Sequence, residues 1–246
     1  MPEQWGAWCS MRTILVGHRG APNLAPENTV PSFLKAIEVG VDMIELDVRA
    51  TMDGTVVVIH DESVDRTTNG SGLVREYYLE DIKKLDAGSW FDTSFKGIKI
   101  PTLEEALIRI DGKVMTRIEL KDDGIEEKVA SIIKTLGVSN KTQVASFELK
   151  RIKKMKEICP SISTVSISTK FTNELLQSSI ESYANTLAIL IDKFTETDIY
   201  ETHLHGLTFD AWPVDDELAV RRLKAFGVES ITSNRASEIK KILQQA

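Results

Sequence analysis

Apolar positions along this chain change rhythm repeatedly, and each change marks an element. Residues 13–16 are a short continuous apolar run, a strand leading into Gly17-His18-Arg19-Gly20. Phe33, Ala36 and Ile37 then recur at helical spacing in a segment that opens near Pro26-Glu27-Asn28-Thr29, with Asn28 or Thr29 as its cap, and closes at Gly40. Residues 43–49 and 55–60 read as two strands, and Met52-Asp53-Gly54 between them carries the Asp-Gly signal of a tight reversal. The stretch 62–100 breaks the rhythm. Too long for a plain connection, it predicts a small insertion packed over one end of the domain.

From Pro101 onward the pattern is regular. Helices are predicted over 102–110, 125–136, 149–158, 173–183, around Asp198, and over 216–226 and 237–243. Strands fall between them at 114–120, 143–147, 163–168, 187–191, 207–212 and 229–232. Alternation of this kind means a parallel sheet with helices outside. No G-x-G-x-x-G follows the first strand and no phosphate loop appears, which removes the usual signature of an open nucleotide-binding sheet. The count is about nine strands, one more than a (β/α)8 barrel needs; the early hairpin accounts for the surplus.

Length and composition narrow the choice of partners. A chain of 246 residues is long enough for one barrel domain, predicted over 11–246 with the insertion at about 62–100 and residues 1–10 as an N-terminal extension. A net charge of −7 argues against nucleic acid or an anionic membrane surface. No apolar run is long enough for a transmembrane segment, and residues 1–10 lack the regions of a signal peptide, so a cytoplasmic location is expected. Cys9 and Cys159 fit no metal spacing and read as reduced thiols. A homo-oligomer is compatible with all of this.

The chemistry gathers at strand ends. Side chains alternate along a strand, so Glu45 and Asp47 point one way and Ile44, Leu46 and Val48 the other. Folding the hairpin about Met52 and Asp53 sets Glu45 roughly opposite His60. Glu119 and Lys121 share a face in the same manner, and His18 and Arg19 lie in a glycine-flanked turn after the first strand. Ser146, Trp212 and residues 233–235 fall at other strand ends. Singly these have plainer readings, such as an internal Glu119–Lys121 ion pair or a hydrogen-bonded turn histidine. Arg117 is expected to pair with a neighbouring carboxylate, and His203 and His205 to be solvated. Five strand ends with polar residues on one side carry more weight than any one of them.

Glu45, Asp47 and Glu119, without cysteine, describe a hard-cation site for Mg²⁺ or Ca²⁺. His18 and His60 suit a general base and acid, and Arg19 and Lys121 a phosphate. The implied chemistry is metal-assisted phosphoryl transfer.

With those residues in hand, the chain resembles the glycerophosphodiester phosphodiesterase family. The matching runs are His18-Arg19-Gly20, Pro26-Glu27-Asn28-Thr29, Ile44-Glu45-Leu46-Asp47-Val48, His60-Asp61, Arg66-Thr67-Thr68, Pro101-Thr102-Leu103-Glu104-Glu105 and Glu119-Leu120-Lys121, in the family's order. The resemblance implies a TIM barrel with a small insertion after the hairpin. It implies metal-dependent hydrolysis of small-molecule glycerophosphodiesters to sn-glycerol 3-phosphate and an alcohol such as choline or ethanolamine. By position, Glu45, Asp47 and Glu119 correspond to ligands of one divalent cation (Mg²⁺ or Ca²⁺, with Mn²⁺ a third candidate) and His18 and His60 to the acid/base pair. Arg19 and Lys121 correspond to phosphate contacts, and Trp212 to the tryptophan that precedes Thr-Val-Asn.

Here that run reads Trp212-Pro213-Val214-Asp215, and the family's late Thr-Asp reads Thr232-Ser233-Asn234. Both departures are expected on the substrate side of the barrel, away from the metal and the histidines. The nucleophile stays open between water and the substrate's own 2-hydroxyl. The nearest rival is a lysophospholipase D of the same barrel type, with Tyr77, Tyr78, Trp90 and Phe91 as the candidate acyl-binding rim. A glycosidase barrel and a non-catalytic binding module are the rivals from other classes.

Overall fold

The computed structural model of the chain describes residues 12–245, so the expectations for residues 1–10 and for Cys9 fall outside the described residues. In chain order the strands are β1 (Ile14–Gly17), β2 (Met43–Ala50), β3 (Val56–Val58), β4 (Met115–Leu120), β5 (Thr142–Ser146), β6 (Ser163–Ser168), β7 (Thr186–Leu190), β8 (Thr208–Trp212) and β9 (Ser230–Ser233). The helices are α1 (Val30–Val39), α2 (Leu79–Ile82), α3 (Leu103–Ile110), α4 (Glu126–Thr135), α5 (Leu149–Ile158), α6 (Asn173–Glu181), α7 (Glu196–Leu204), α8 (Glu217–Ala225) and α9 (Ala236–Gln245). None of them, among the described residues, is long and apolar enough to cross a membrane.

The sheet runs β1-β9-β8-β7-β6-β5-β4-β2-β3, and a β1–β2 pairing closes it into a barrel of parallel strands. This is the TIM barrel that the alternating pattern predicts. The ninth strand, β3, lies outside the closed ring, antiparallel to β2. Val48 pairs with Val58, Arg49 with Val57 and Ala50 with Val56, so the turn centres on Asp53. That register differs by one residue from the predicted fold about Met52 and Asp53. Counted outward it sets Asp61, not His60, opposite Glu45. Thr51 explains the shift: its backbone N–H donates to Thr55 O and its side chain accepts from Thr55 N, enclosing three residues rather than two.

β3 has two covered faces, which is why Val56, Val57, Val58 and Ile59 are all apolar. Val56 and Val58 join the main core with Leu46, Val48, Phe33, Leu103 and Leu107. Val57 and Ile59 pack instead against Val64, Val74, Ile82, Ala87 and Ile100 of the insertion. Residues 62–100 thus fold over the outer side of the hairpin around a small core of their own.

Helix ends follow local chemistry. Pro31 sits in the first turn of α1, and Gly40, in the left-handed region at φ 82°, stops it. Thr102 and Glu105 cap α3 reciprocally. Ile44, Leu46, Val48, Ile118 and Leu120 turn outward to the helices, so the alternate residues of β2 and β4 face the barrel interior. There the lining divides. Ala145, Val165, Ile167 and Ala188 form an apolar cluster against Trp212, while Glu45, Asp47, Arg117, Glu119, Asp210 and Thr232 are buried around the rest.

Candidate active site

The β1 end sets the first two groups. A Cβ on Gly17 would stand 2.3 Å from the Gly20 carbonyl oxygen, and one on Gly20, at φ +95°, would stand 2.4 Å from Ser32 Oγ. Only glycine allows so tight a turn seated on α1. Its closure aims the Arg19 backbone N–H at Glu45 Oε2, 2.9 Å away, and brings the Arg19 guanidinium to Asp47 (3.3 Å) and Glu27 (2.7 Å).

His18 Nδ1–H donates to Asn234 Oδ1 at 2.6 Å. The direction of that bond is set by the partner, because the Asn234 amide N–H donates to Asp215 Oδ2 at 2.8 Å, leaving Oδ1 as the acceptor. His18 Nε2 is therefore free to face inward, 3.9 Å from Glu45 Oε2. The two departures from the family pattern at residues 215 and 234 thus stand directly behind a histidine. This corrects the expectation that they lie away from it.

Glu45, Asp47 and Glu119 each present a carboxylate oxygen within 4.8 Å of the others. β2 and β4 pair in parallel with Asp47 beside Glu119, which is what brings together residues 72 positions apart in sequence. Lys121 Nζ lies 2.5 Å from Glu119 and 3.1 Å from Asp47. Even so, Glu45 Oε1 is buried without a partner, and Asp47 Oδ1 meets only the Lys121 ammonium. An orphaned carboxylate oxygen away from water is costly, and a hard cation bound by oxygens satisfies it, so the residues fit a divalent metal.

The charges agree with that fit. Burial, together with the charge of Asp47, pushes Glu45 up to about 8 and Glu119 likewise up to about 8. Asp47 goes the other way: against burial, the Lys121 and Arg19 cations hold it well below the usual carboxylate range. Burial and then Arg19 hold His18 below the ordinary imidazole value. Burial lowers His60 too, opposed in part by Asp47.

His60 follows β3, with its backbone carbonyl accepting from Arg49 Nε and its Nδ1–H donating to Asp61 Oδ1 at 2.6 Å. His18, Arg19, Glu45, His60, Glu119, Lys121 and Trp212 all line one cleft of about 140 Å³, and Asp47 lies buried beside it. The eight residues given metal, acid/base or substrate roles from the sequence are therefore brought together. The floor is Arg117, whose Nη1 lies 3.1 Å from Asp210, with Thr232 beside them; the carboxylate partner expected for Arg117 is Asp210. One wall is apolar, with Phe147 and Trp212 packed edge to face at 5.6 Å.

Some expectations fail. Ser146 turns away from the cleft, its hydroxyl donating to Leu120 O, because its neighbours Ala145 and, just after β5, Phe147 hold the inward positions. His203 is not solvated: its Nε2 meets Glu229 at 3.0 Å, while His205 is exposed as expected. The insertion's aromatic residues do not line the cleft. The Tyr77 hydroxyl donates to Ser71 O, and Trp90 and Phe95 each meet Phe91 edge to face.

Other site groups escaped the sequence reading. Of the two expected caps, Thr29 takes the cap position, and Asn28 is turned instead onto Asp47. Asn28 can sit there because its φ of 56° is a conformation asparagine tolerates. A polar residue of that kind ahead of a second cap candidate is the one signal that could have shown it.

A closed barrel with an acid cluster, two imidazoles and two fixed cations at the carboxyl ends of its strands has the layout of an enzyme for an anionic substrate. Residues 18–238 match the model of the glycerophosphoryl diester phosphodiesterase family. The chain is 39% identical to YhdW of Bacillus subtilis, covering 89% of this chain and 93% of that one. It is 34% identical to the glycerophosphodiester phosphodiesterase of the same organism, covering 91% and 84%. Among solved structures, a phosphodiesterase of Oleispira antarctica in complex with the product sn-glycerol-3-phosphate superposes with a TM-score of 0.89 at 26% identity, over 94% of this chain and 96% of that one. The glycerophosphodiester phosphodiesterase of Agrobacterium tumefaciens superposes with a TM-score of 0.83 at 32% identity, over 93% and 99%. The chain belongs to the glycerophosphoryl diester phosphodiesterase family, and it is an enzyme of that class, a phosphoric diester hydrolase.

Proposed function

We propose that this enzyme hydrolyses glycerophosphodiesters, glycerophosphocholine and glycerophosphoethanolamine among them, to sn-glycerol 3-phosphate and the free alcohol. The observation that carries this reading is the convergence of three buried carboxylates, two imidazoles and two cations on one cleft. Glu45, Asp47 and Glu119 would hold one divalent cation, Mg²⁺ or Ca²⁺ with Mn²⁺ as a third candidate, which supplies neutralisation of the phosphate charge when bound.

The chain's own groups then divide the work. Arg19 and Lys121 orient the phosphate oxygens by charge-assisted hydrogen bonds. His18, with its Nδ1–H engaged on a neutral amide and an arginine alongside, is kept neutral and takes a proton from the nucleophile at Nε2. His60, whose Nδ1–H meets a carboxylate, is the better placed to carry a positive charge, and it delivers a proton to the departing alkoxide. Phe147 and Trp212 exclude water from one wall; Lys121 Nζ already lies over the Phe147 ring, 5.7 Å from its centroid, which leaves Trp212 to meet a cationic alcohol such as choline.

The acidic surface and small polar substrate suit a cytoplasmic enzyme, working within residues 11–246 on the water-soluble products of glycerophospholipid breakdown. A homo-oligomer is compatible with this role. The test is release of sn-glycerol 3-phosphate from glycerophosphocholine with and without EDTA. Product that disappears with chelator and returns with a divalent metal supports the reading; product unaffected by chelator refutes the metal's part in it.

A further inference from the structure

The Arg66-Thr67-Thr68 run has no part in the chemistry above. Arg66 lies in the insertion, does not line the cleft, and leaves 44% of its side chain exposed, as an ordinary surface arginine would. Its guanidinium, however, commits four N–H donors to two carboxylates. Nε donates to Asp61 Oδ2 at 2.6 Å and Nη2 to Asp61 Oδ1 at 3.1 Å. Nη1 donates to Glu27 Oε2 at 2.9 Å and Nη2 to Glu27 Oε1 at 2.8 Å.

Each carboxylate in turn holds a group of the cleft. Asp61 Oδ1 accepts from His60 Nδ1, and Glu27 Oε1 accepts from Arg19 Nη1 at 2.7 Å. His60 belongs to the hairpin end and Arg19 to the turn after β1. Arg66 is thus the shared partner of two arms that begin on different strands.

We propose that Arg66 is a positioning residue that clamps Asp61 and Glu27 together, so that His60 and Arg19 keep one fixed spacing across the substrate. This rests on the roles given to His60 and Arg19 under the proposed function. A carboxylate held at one oxygen by an imidazole can swing about its own bonds, whereas one gripped at both oxygens by a planar fork cannot. Arginine is the side chain that can grip two carboxylates from two edges at once; lysine offers its donors from a single point. The insertion, seated on Val57 and Ile59 of the hairpin, delivers that fork from outside without narrowing the cleft. Its docking thereby becomes part of the site's geometry.

The experiment compares kcat and KM on glycerophosphocholine, with the divalent metal present, for the parent, Arg66→Ala, Arg66→Lys, Arg19→Ala and His60→Ala. The exposed Arg75 of the same insertion serves as control through Arg75→Ala. Arg66→Ala should lower kcat by about tenfold to a hundredfold, within the contribution a well-placed acid or base makes, and should raise KM as Arg19 loses its aim. Arg66→Lys should recover only part of the rate, Arg75→Ala should match the parent, and added guanidinium should restore part of the Arg66→Ala rate.

Asp61→Asn should cost less in the Arg66→Ala background than alone, because the two act in series. Parental kcat and KM for Arg66→Ala and Arg66→Lys, beside inactive His60→Ala and Arg19→Ala, would overturn the clamp and leave the site reading intact. Loss of rate that only follows loss of folded protein, with no response to guanidinium, would overturn it too. Parental rates for His60→Ala and Arg19→Ala would instead refute the site reading on which the clamp rests.

Discussion

Asn28 and Asp47 bind each other twice: the Asn28 amide N–H donates to Asp47 Oδ2 at 2.8 Å, and Asn28 Oδ1 accepts the Asp47 backbone N–H at 3.2 Å. Both residues are buried. The pair holds Oδ2 of a carboxylate whose Oδ1 faces Lys121, and pins the loop before α1 to β2.

Asn28→Ala should therefore be costly twice over. It leaves the buried Asp47 N–H without its acceptor and removes one of the hydrogen bonds to Asp47 Oδ2, at roughly 1–3 kcal/mol, and it puts in the left-handed region an alanine that lacks the side-chain hydrogen bonding by which asparagine occupies it. Denaturant unfolding should report a loss of that order, and hydrolysis should fall further than the unfolded fraction explains. Asn28→Asp would set a second negative charge against Asp47 and should weaken divalent-metal retention less than it weakens folding without metal.

Glu45 and Glu119 set the pH dependence. Both are held up to about 8, so between the ordinary carboxylate range and pH 8 the folded chain keeps protons that the unfolded chain has released. Without a divalent cation, that part of the stability is present at low pH and is lost as pH rises through the window. A bound cation takes over from the protons. The gap in thermal midpoint between metal-loaded and EDTA-treated protein should widen from about pH 5 to about pH 8, and a gap independent of pH would contradict the assignment of the cluster. Asp61 acts in the opposite sense. Held down to about 2 by its hydrogen bonds from Arg66, with His60 adding to them, it contributes stability that is lost as the solution is acidified below the usual carboxylate value.

Exchanging the two residues behind His18 should move the pH profile. In the pair Asn234→Asp with Asp215→Asn, the imidazole would donate to a carboxylate instead of a neutral amide, which raises its affinity for a proton. Since His18 is proposed to work in its neutral form, the acid limb of kcat against pH should shift upward. Asn234→Leu, which removes the acceptor, should lower kcat by about tenfold or more at every pH by freeing the tautomer. An unmoved acid limb in the exchanged pair would assign that limb to another group.

The aromatic wall makes a claim about the alcohol. Trp212→Ala should raise KM for glycerophosphocholine more than for a diester of glycerol, by about threefold to thirtyfold, the range of a partly desolvated cation–π contact. Equal effects on both substrates would reduce the wall to a hydrophobic boundary.

Periodicity alone carried much of this molecule. The alternation of Ile44, Leu46 and Val48 with Glu45 and Asp47, repeated by Ile118 and Leu120 with Glu119 and Lys121, is a property of any strand with one face toward helices. It determined that these charged groups share an interior, just as the repeat of strands and helices determined the barrel. What no local pattern encodes is which distant residues meet when β1 closes against β9 and β2. That closure puts Asn234 behind His18, while the fold of the insertion brings Arg66 between Asp61 and Glu27, and Arg117 finds Asp210 across the barrel. One-residue effects were equally out of reach. The hairpin turn is one residue longer than its Asp-Gly signal implies, and Ser146 lies one position from the inward-facing Phe147. With a side-chain period of two, a single step exchanges cleft for core. Local periodicity decides which face a residue belongs to in the regular interior of an element. At element ends, and between elements, the closed tertiary structure decides.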